Sequence, residues 1–244
     1  MSLETDVANL VTKTTDLITY FNGKKAGIDA AVSAAVAAAP SISRAFFVDS
    51  QLGSDDNLGT SARPFKTLEA AIKAVPAGGR ADVTLQRDYT LSAHVVLSGR
   101  KLVVRGEPGA GRKLILNEFQ VDNDGTVNRR MGSFWQGGES AVELVSLTLS
   151  LPATTPGDNT AYYALSFGSG SSAPAVNQLR LYNLTFELRG AFLGTLMGPG
   201  SVLFQLALVG TSLPASLNGR LIPGIAAGTE SKTLSHVITN LATL

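Results

Sequence analysis

The chain lacks cysteine entirely, and charged residues are scarce in its 244 positions. Without cysteine, disulfide bonds and cysteine-ligated metal sites are excluded. Charged residues make up 16% of the sequence, where about a quarter is usual, which is typical of a chain that hides surface in an oligomer. The formal net charge is only +1, so there is no polyanion-binding footprint and we expect no nucleic-acid partner.

Long apolar runs are missing as well. No segment supplies the ~20 strongly apolar residues of a membrane span, and the alanine-rich stretch 30–39 is too short. The first ten residues carry Glu4 and Asp6 and do not resemble a signal peptide. We therefore expect no membrane insertion.

Residues 3–39 carry apolar side chains at a mean spacing of 3.5 residues, which keeps them facing a partner helix. The pattern weakens at Asn22-Gly23, where a break in the helix is predicted. We predict a helical oligomerisation segment; the alternative is an amphipathic helix that lies on its own domain. The residues expected to mediate oligomerisation are Leu3, Val7, Leu10, Leu17, Phe21 and Ile28.

A short β segment at 45–48, a polar loop and one short helix come next. Glycine, aspartate and asparagine in the loop 49–60 favour Asx turns and positive φ angles. Thr67 is a predicted N-cap. One apolar face of a two-turn helix then repeats at i, i+3, i+4 and i+7, and we expect it to cover the open end of a β structure. The residues of this face are Leu68, Ala71, Ile72 and Val75.

Residues 81–210 alternate apolar and polar side chains in short stretches, as β-strands do. Residues 142–151 and 179–188 are similar to each other at an offset of 37 residues. Such spacing is typical of a solenoid, and a Greek-key sandwich is the alternative. Residues 211–244 match no pattern. The predicted strands are 83–85, 95–97, 102–104, 114–116, 142–151, 179–188 and 202–209.

The run from Phe47 through the loop Gly53–Thr60 to Pro64–Ile72 resembles the motif with which right-handed parallel β-helix proteins begin. Phage tailspikes, tail fibres and many pectate-lyase-like proteins start in this way. The motif is more specific for fold than for chemistry, since it occurs in lyases, hydrolases and inert fibres alike. Preceded by a helical segment, it is similar to the layout of trimeric phage tail fibre and spike subunits.

The resemblance implies a mainly β fold: a short right-handed parallel β-helix with a capping helix, preceded by an N-terminal α-helical, coiled-coil-like segment. Residues 1–40 would serve oligomerisation and attachment, 41–80 would form the first strand, loop and cap helix, and 81–244 the β-helix body and C-terminal region. Asn183 resembles an inward asparagine that hydrogen-bonds to its counterpart in the next coil.

The implied function is that of a structural virion protein. The chain would be a homotrimeric phage tail fibre or spike subunit that contributes to host attachment. Other tail or baseplate proteins would bind its N-terminal region. Its distal surface would contact either the host envelope, where a surface glycan is the candidate partner, or further fibre proteins. The expected location is the virion tail, after assembly in the host cytoplasm.

Two polar runs partly match known ligand-binding motifs. Gly106–Lys113 departs from the phosphate-loop pattern because its lysine is one place late and no Ser or Thr follows. Asp122–Gly125 fails the EF-hand pattern, since Val127 occupies the glycine position. We expect neither a cofactor nor a metal.

A glycosidase or lyase needs paired carboxylates, or an acid with a basic partner, on neighbouring rungs. Nothing in the sequence selects a pair, and the β region is short beside depolymerising spikes. We therefore predict that the chain is not an enzyme; the alternatives are a polysaccharide-degrading tailspike and a non-catalytic carbohydrate-binding β-helix. The available carboxylates are Glu107, Glu118, Asp122, Asp124, Glu139, Glu143, Asp158 and Glu187.

Trp135, Arg129 and Tyr162 are the candidate glycan-binding residues. Aromatic faces stack on sugar rings, and arginine pairs with acidic sugars. The alternative is that Phe134-Trp135 anchors the long excursion 117–141 onto the body or onto a sister subunit.

Overall fold

The computed structural model describes residues 2–38, 42–123, 126–154, 162–168 and 176–244, with the backbone alone described at 34–38 and next to residues 124–125. The chain forms two compact units, Met1–Pro40 and Ser41–Leu244. The first is helical, and the second is mainly β.

The first unit contains one helix, α1 (Leu3–Ala38), of 36 residues and about 54 Å in length. The predicted break at Asn22-Gly23 is wrong, because the helix continues through both residues. A glycine costs a helix only about 1 kcal/mol relative to alanine, and a long hydrogen-bonded helix tolerates that cost. The six residues predicted to mediate oligomerisation are between 53% and 80% exposed in the single chain. Within the described ranges, no helix is long and apolar enough to cross a membrane.

Across the described residues, the second unit contains three sheets in which every strand pair is parallel, and a separate two-stranded antiparallel sheet. Sheet A has seven strands in the spatial order β1 (Ser43–Val48), β2 (Arg80–Leu85), β5 (Lys101–Gly106), β10 (Ala141–Val145), β13 (Val176–Tyr182), β16 (Leu203–Val209) and β17 (Val237–Thr239). Sheet B consists of β3 (Tyr89–Leu91), β6 (Lys113–Leu116), β11 (Thr148–Leu151) and β14 (Thr185–Leu188). Sheet C consists of β4 (His94–Val96), β9 (Ser133–Gln136), β12 (Ala164–Gly168) and β15 (Thr195–Met197).

From β2 onward the chain visits sheets A, B and C in turn, four times, before it returns to sheet A at β16. Each strand therefore stacks on the strand of the same sheet in the preceding turn. Parallel pairing throughout these sheets differs from the antiparallel pairing of a Greek-key sandwich. Most of the buried apolar side chains among the described residues form one cluster that extends from Phe46 to Leu244.

The similarity between residues 142–151 and 179–188 corresponds to direct stacking. Val142 pairs with Leu179 and Thr148 with Thr185, so the predicted offset of 37 residues is the register of both sheets. Each predicted ten-residue strand is in fact two strands, because Ser146 and Asn183 adopt left-handed φ angles of 50° and 51° and turn the chain from sheet A to sheet B.

Asn183 has no asparagine beside it at this turn. Its neighbours in the stack are Ser146 and Gly210, as the pairs Val145–Tyr182 and Tyr182–Val209 require. The predicted hydrogen bond between asparagines of successive coils is therefore wrong. Gly210, with φ +60°, takes the same left-handed turn, and a Cβ there would lie 2.0 Å from Asn183 Oδ1.

The short helix α2 (Leu68–Lys73) has the predicted cap and the predicted buried face. The Thr67 side chain accepts a hydrogen bond from the Ala70 N–H at 3.2 Å. Leu68, Ala71, Ile72 and Val75 are no more than 2% exposed. The helix contacts β1, β2 and β4, so it covers the first end of the sheets.

The C-terminal segment 211–244, which the sequence left unassigned, covers the other end. It contains two 3₁₀ turns, Ala215–Leu217 and Ser231–Thr233, and the last strand of sheet A. Its backbone carbonyls at Arg220 and Leu221 accept hydrogen bonds from the final strand of sheet C. The segment adds five buried apolar side chains to the core: Leu217, Leu221, Ile222, Ile225 and Leu244.

Candidate functional site

An antiparallel hairpin interrupts the regular alternation of sheets between β6 and β9. Its strands are β7 (Glu118–Asn123) and β8 (Thr126–Met131), with Phe119 opposite Arg130 and Gln120 opposite Arg129. The sequence marked this region only as an excursion, because a short hairpin with polar residues on both strands has no distinctive pattern. All three candidate glycan-binding residues lie in or beside it.

Four rings hold the base of the hairpin against the outer face of sheet C. His94 stacks on Trp135 with ring centroids 4.2 Å apart, and Phe119 approaches His94 edge-on at 4.8 Å. Phe167 completes the cluster at 5.0 Å from Trp135, beside which the strand register places it. Aromatic pairs in this range of separation are favourable beyond the area they bury. This aromatic cluster, His94, Phe119, Trp135 and Phe167, therefore anchors the hairpin.

The sequence left two roles open for this region: glycan binding by Trp135, or anchoring of the excursion by Phe134 and Trp135 together. Phe134 is fully buried in the core. Trp135 is half-buried, and one face of its ring is covered by His94. Tyr162 is similarly engaged, since the Arg130 guanidinium lies 4.5 Å from its ring centroid. Arg129 lies on the other face of the hairpin, so the three candidates do not form one continuous surface.

His94 is the titratable group inside the aromatic cluster. Its Nδ1 lies 2.7 Å from Ser133 Oγ, while Nε2 is buried and has no protein partner among the described residues. Burial, and secondarily the positive charge of Arg130, lowers the pKa of His94 to about 4. His94 is therefore neutral at physiological pH, and the hairpin packs against an uncharged ring.

The accessible concavity of this region is a surface pocket of about 560 Å³. It is lined by Glu118, Phe119, Gln120 and Arg129. Glu118 Oε1 accepts a hydrogen bond of 2.7 Å from the hydroxyl of Tyr163, whose side chain is fully buried. Gln120 and Arg129 are exposed and face each other across the hairpin. We call the concavity lined by these four residues the hairpin pocket.

The other candidate carboxylates are spread over the molecule. Glu107 pairs with Arg112 in the turn 107–112, where the near phosphate loop lies, and Glu187 pairs with Lys113 at 3.0 Å on sheet B. The side-chain hydrogen bond from Lys113 holds the pKa of Glu187 below its ordinary value. Glu143 lies on sheet A. Asp124, Asp158 and the side chain of Asp122 lie outside the described residues.

Among the aspartates of the loop 49–60, Asp49 makes the Asx-turn contacts that the sequence predicted, whereas Asp55 connects the loop to the start of α2. Asp49 Oδ1 accepts from the N–H groups of Gln51 and Leu52, both at 2.9 Å. Asp55 accepts from the N–H groups of Lys66 and Thr67, next to the start of α2. Across the described ranges, no cluster of three potential metal ligands is present.

The geometry defines a mainly β protein with stacked parallel sheets, an N-terminal helix and a hairpin pocket. No protein-family model and no curated protein sequence matches the chain. Among solved structures, it is similar to the crystal structure of the GH136 lacto-N-biosidase from Eubacterium ramulus, with 14% identity and a TM-score of 0.35. The match covers 72% of this chain and 32% of that one, so the chain spans about a third of the other protein's length.

This comparison corrects one prediction. The sequence predicted that the chain is not an enzyme, whereas the similar solved structure is a glycoside hydrolase. The prediction that catalysis is absent is therefore withdrawn.

Proposed function

We propose that the chain is a subunit of a homotrimeric phage tail fibre or spike. In this proposal, α1 bundles three copies and attaches them to the particle, and the β unit is a right-handed parallel β-helix that contributes to host attachment. The observation that carries the proposal is a long, separate helix with regularly spaced exposed apolar residues in front of a β unit closed at both ends.

The order of the strands supports the β-helix. Successive strands pass from sheet A to B to C, and equivalent strands stack in parallel register. In such a solenoid each turn contacts only its neighbours, so the terminal turns need caps. Helix α2 provides one cap and residues 211–244 the other.

The exposed residues of α1 support association of more than two helices. Besides the predicted heptad positions, Val11, Ile18 and Val32 form a third row and are 55% to 60% exposed. Three apolar positions per heptad make a wider stripe than the two of a dimeric seam. Because a helix is stabilised mainly by packing of its apolar face, this stripe needs partners, and further copies of the same chain offer a matching surface.

The oligomeric state tests the proposal. We expect the full chain to sediment as a trimer and the double variant Leu10→Asp/Leu17→Asp as a monomer, because two charges would be buried at each seam. The matched control is Thr12→Asp/Thr19→Asp, which adds the same charges on the opposite face of α1 and should remain trimeric. A monomeric wild-type chain, or equal behaviour of the two variants, would contradict the proposal.

The particle context is tested separately. Tail or baseplate genes next to the coding sequence would support attachment to a virion, as would antibody labelling of the chain on isolated particles. In the glycan-binding form of this proposal, the chain binds a surface polysaccharide of the host, whether or not it then cleaves that polymer. An assay for reducing sugar released from host polysaccharide decides between these two modes.

A further inference from the structure

The end of sheet B beside the C-terminal segment differs from the same ends of sheets A and C. Strand β17 continues sheet A beyond β16, and the carbonyls of Arg220 and Leu221 accept hydrogen bonds from the last strand of sheet C. Sheet B ends at β14, and no described strand pairs with the outer edge of β14. In the described part of the chain, the last turn is therefore closed at two sheets and open at the third.

The backbone of β14 shows which groups face this open edge. The N–H groups of Thr185 and Arg189 donate to carbonyls of the preceding turn. Because backbone groups alternate in direction along a strand, the N–H and C=O of Phe186 and the N–H of Leu188 point away from β11. They have no backbone partner among the described residues. A row of unpaired N–H and C=O groups is a template for a further strand.

A concavity of about 380 Å³ lies beside this edge. Residues 184–186 form one wall, and residues of the segment 210–214 form the other. The Thr211 hydroxyl accepts a hydrogen bond from the Leu184 N–H at 3.0 Å, after which the chain turns away into the 3₁₀ turn Ala215–Leu217. The space in which a fifth strand of sheet B would continue the stack is therefore accessible.

The side-chain rows that end at β14 define what a further strand should carry. Phe186 follows Leu149 on the inner face and Leu188 follows Leu151, and both are only partly buried at the open edge. Apolar side chains beside them would complete their burial. Glu187 lies between them on the outer face with its side chain 42% exposed, so a basic side chain aligned with it would be favourable. The edge therefore fits an apolar, a basic and an apolar residue in succession.

We infer that the open edge of β14 binds an extended segment of a partner protein, with the pattern apolar–basic–apolar, as a further parallel strand of sheet B. Its basic side chain pairs with Glu187, whose two oxygens can accept more than the bonds from Lys113. The backbone N–H of the basic residue donates to the Phe186 carbonyl, and its carbonyl accepts from the Leu188 N–H. The inference goes beyond the proposed function, because it concerns a partner of each single β unit.

The probe is a fluorescein-labelled peptide with the central sequence Thr-Val-Lys-Val-Thr, titrated with the full chain and followed by fluorescence anisotropy. We expect saturable binding, and about tenfold weaker binding of the matched peptide with glutamate in place of lysine, because like charges then meet at Glu187. Bound peptide should also slow hydrogen exchange at the amides of Phe186 and Leu188.

Methylated peptides test the backbone contact on wild-type protein. Methylation of the lysine amide removes the donor to the Phe186 carbonyl and should abolish binding. Methylation of the preceding valine amide is the matched control, because this N–H points away from the edge of β14 in a parallel strand. The control peptide should bind as the unmodified peptide does.

Two substitutions at one position test the same contact from the protein side. Phe186→Pro removes the N–H at the open edge and keeps the bonds between β14 and β11, and proline is tolerated on edge strands. Phe186→Val is the matched control, since it also removes the ring but keeps the N–H. We expect binding to the proline variant to be about tenfold weaker than to the valine variant. Glu187→Gln should remove the preference for the lysine peptide over the glutamate peptide.

The inference is overturned if the lysine peptide does not bind saturably, if the two methylated peptides bind equally, or if the proline and valine variants bind equally. Assembly of wild type beyond a trimer that Phe186→Pro abolishes would also overturn it, because a second copy of the chain would then occupy the edge. Each result can occur while the α1 variants behave as expected, so the proposed fibre function is tested separately.

Discussion

At the scale of single residues, partners decide what each polar side chain does. Gln136, Ser166 and Asn177 are buried, yet each is hydrogen-bonded to another member of the group, at 2.6 to 3.0 Å. A buried amide without such partners would cost the fold several kcal/mol, on the order of 2–7. These side chains are therefore structural, although the same residue types in a groove could bind a ligand.

Asp49 is the clearest structural carboxylate. It is 5% exposed and holds two backbone N–H groups and the Arg87 side chain, which together outweigh the effect of burial and lower the pKa of Asp49. We expect Asp49→Ala to lower the free energy of unfolding by about 2–4 kcal/mol, because these donors lose their acceptor. Chemical denaturation measures the loss. The control Asp56→Ala, at an exposed position of the same loop, should change stability little, and equal losses would contradict this role.

His94 predicts a pH dependence with a defined sign. Its pKa in the folded protein, about 4, is below the ordinary value of about 6.5, so the unfolded chain binds the proton more readily. The stability that the neutral ring contributes is present above pH 6.5 and is lost as the pH falls to about 4.

The melting temperature of wild type and of His94→Phe, measured from pH 8 to pH 4.5, tests this prediction. The decline between pH 6.5 and 4.5 should be smaller in the variant, because phenylalanine fills the aromatic cluster and does not titrate. If the two curves of melting temperature against pH are parallel, protonation of His94 does not destabilise the folded protein, and the prediction is wrong. Trp135 fluorescence shows whether the hairpin detaches in the same range.

At the scale of elements, those that depend on neighbouring residues could be predicted from the sequence, whereas those that depend on long-range packing could not. The cap and apolar face of α2 were predicted because they depend on residues within one turn of each other. The hairpin and the strands β9, β12 and β15 of sheet C were not predicted, whereas β4 overlaps the predicted strand 95–97. The unpredicted strands of sheet C are short, and in β12 all five positions are buried, so no alternation is visible.

The cap role of α2 predicts a large effect from one buried residue. We expect Ile72→Ala to destabilise the β unit by about 2–5 kcal/mol, because a buried side chain that contacts the first strands is truncated. The free energy of unfolding from urea titration gives the value. Lys73→Ala, an exposed change on the same helix, is the control and should stay within about 0.5 kcal/mol of wild type.

The continuity of α1 predicts a gain in stability. Gly23 lies inside the helix and a Cβ there would meet no atom within 4 Å. We expect Gly23→Ala to stabilise α1 by about 1 kcal/mol and to raise the melting temperature of its circular dichroism signal at 222 nm. Gly23→Pro should lower that signal, since proline removes a helical hydrogen bond and clashes with the preceding turn. A real break at Asn22-Gly23 would leave both variants like wild type.

At the scale of the whole molecule, the stacked sheets need closure at both ends. The C-terminal segment closes the last turn through its buried apolar residues and through Asn240. The side chain of Asn240 accepts from the Leu208 N–H at 2.9 Å and donates to the Leu208 carbonyl at 2.6 Å, so it replaces one more strand residue.

The two hydrogen bonds of Asn240 should therefore contribute measurably to the stability of the last turn. We expect Asn240→Ala to destabilise the protein by about 1–3 kcal/mol through the loss of two hydrogen bonds. Hydrogen–deuterium exchange at the Leu208 amide should accelerate, with smaller changes toward the α2 end. The control Asn218→Ala, at an exposed position of the same segment, should leave exchange at Leu208 unchanged.

Much of this architecture was accessible from the sequence because it repeats. A stacked fold places similar residues at similar positions in successive turns, so the register of β10 on β13 was visible as sequence similarity. The turn at Asn183 was not recognised as a strand boundary, because its left-handed φ angle is taken by serine and glycine in the adjacent turns. Residue type there does not repeat although the backbone conformation does.

The N-terminal helix, the Asx turn at Asp49, the cap helix and the stacking of similar strands could be predicted from the sequence, because each depends on local chemistry or on a repeated pattern. The positions of the candidate residues relative to one another depend instead on the tertiary structure. Trp135 and His94 are 41 positions apart and meet because β4 and β9 pair, and Arg129 and Arg130 are adjacent but face opposite sides of a hairpin. Strand pairing over such distances is set by the packing of the whole core, which no local pattern encodes.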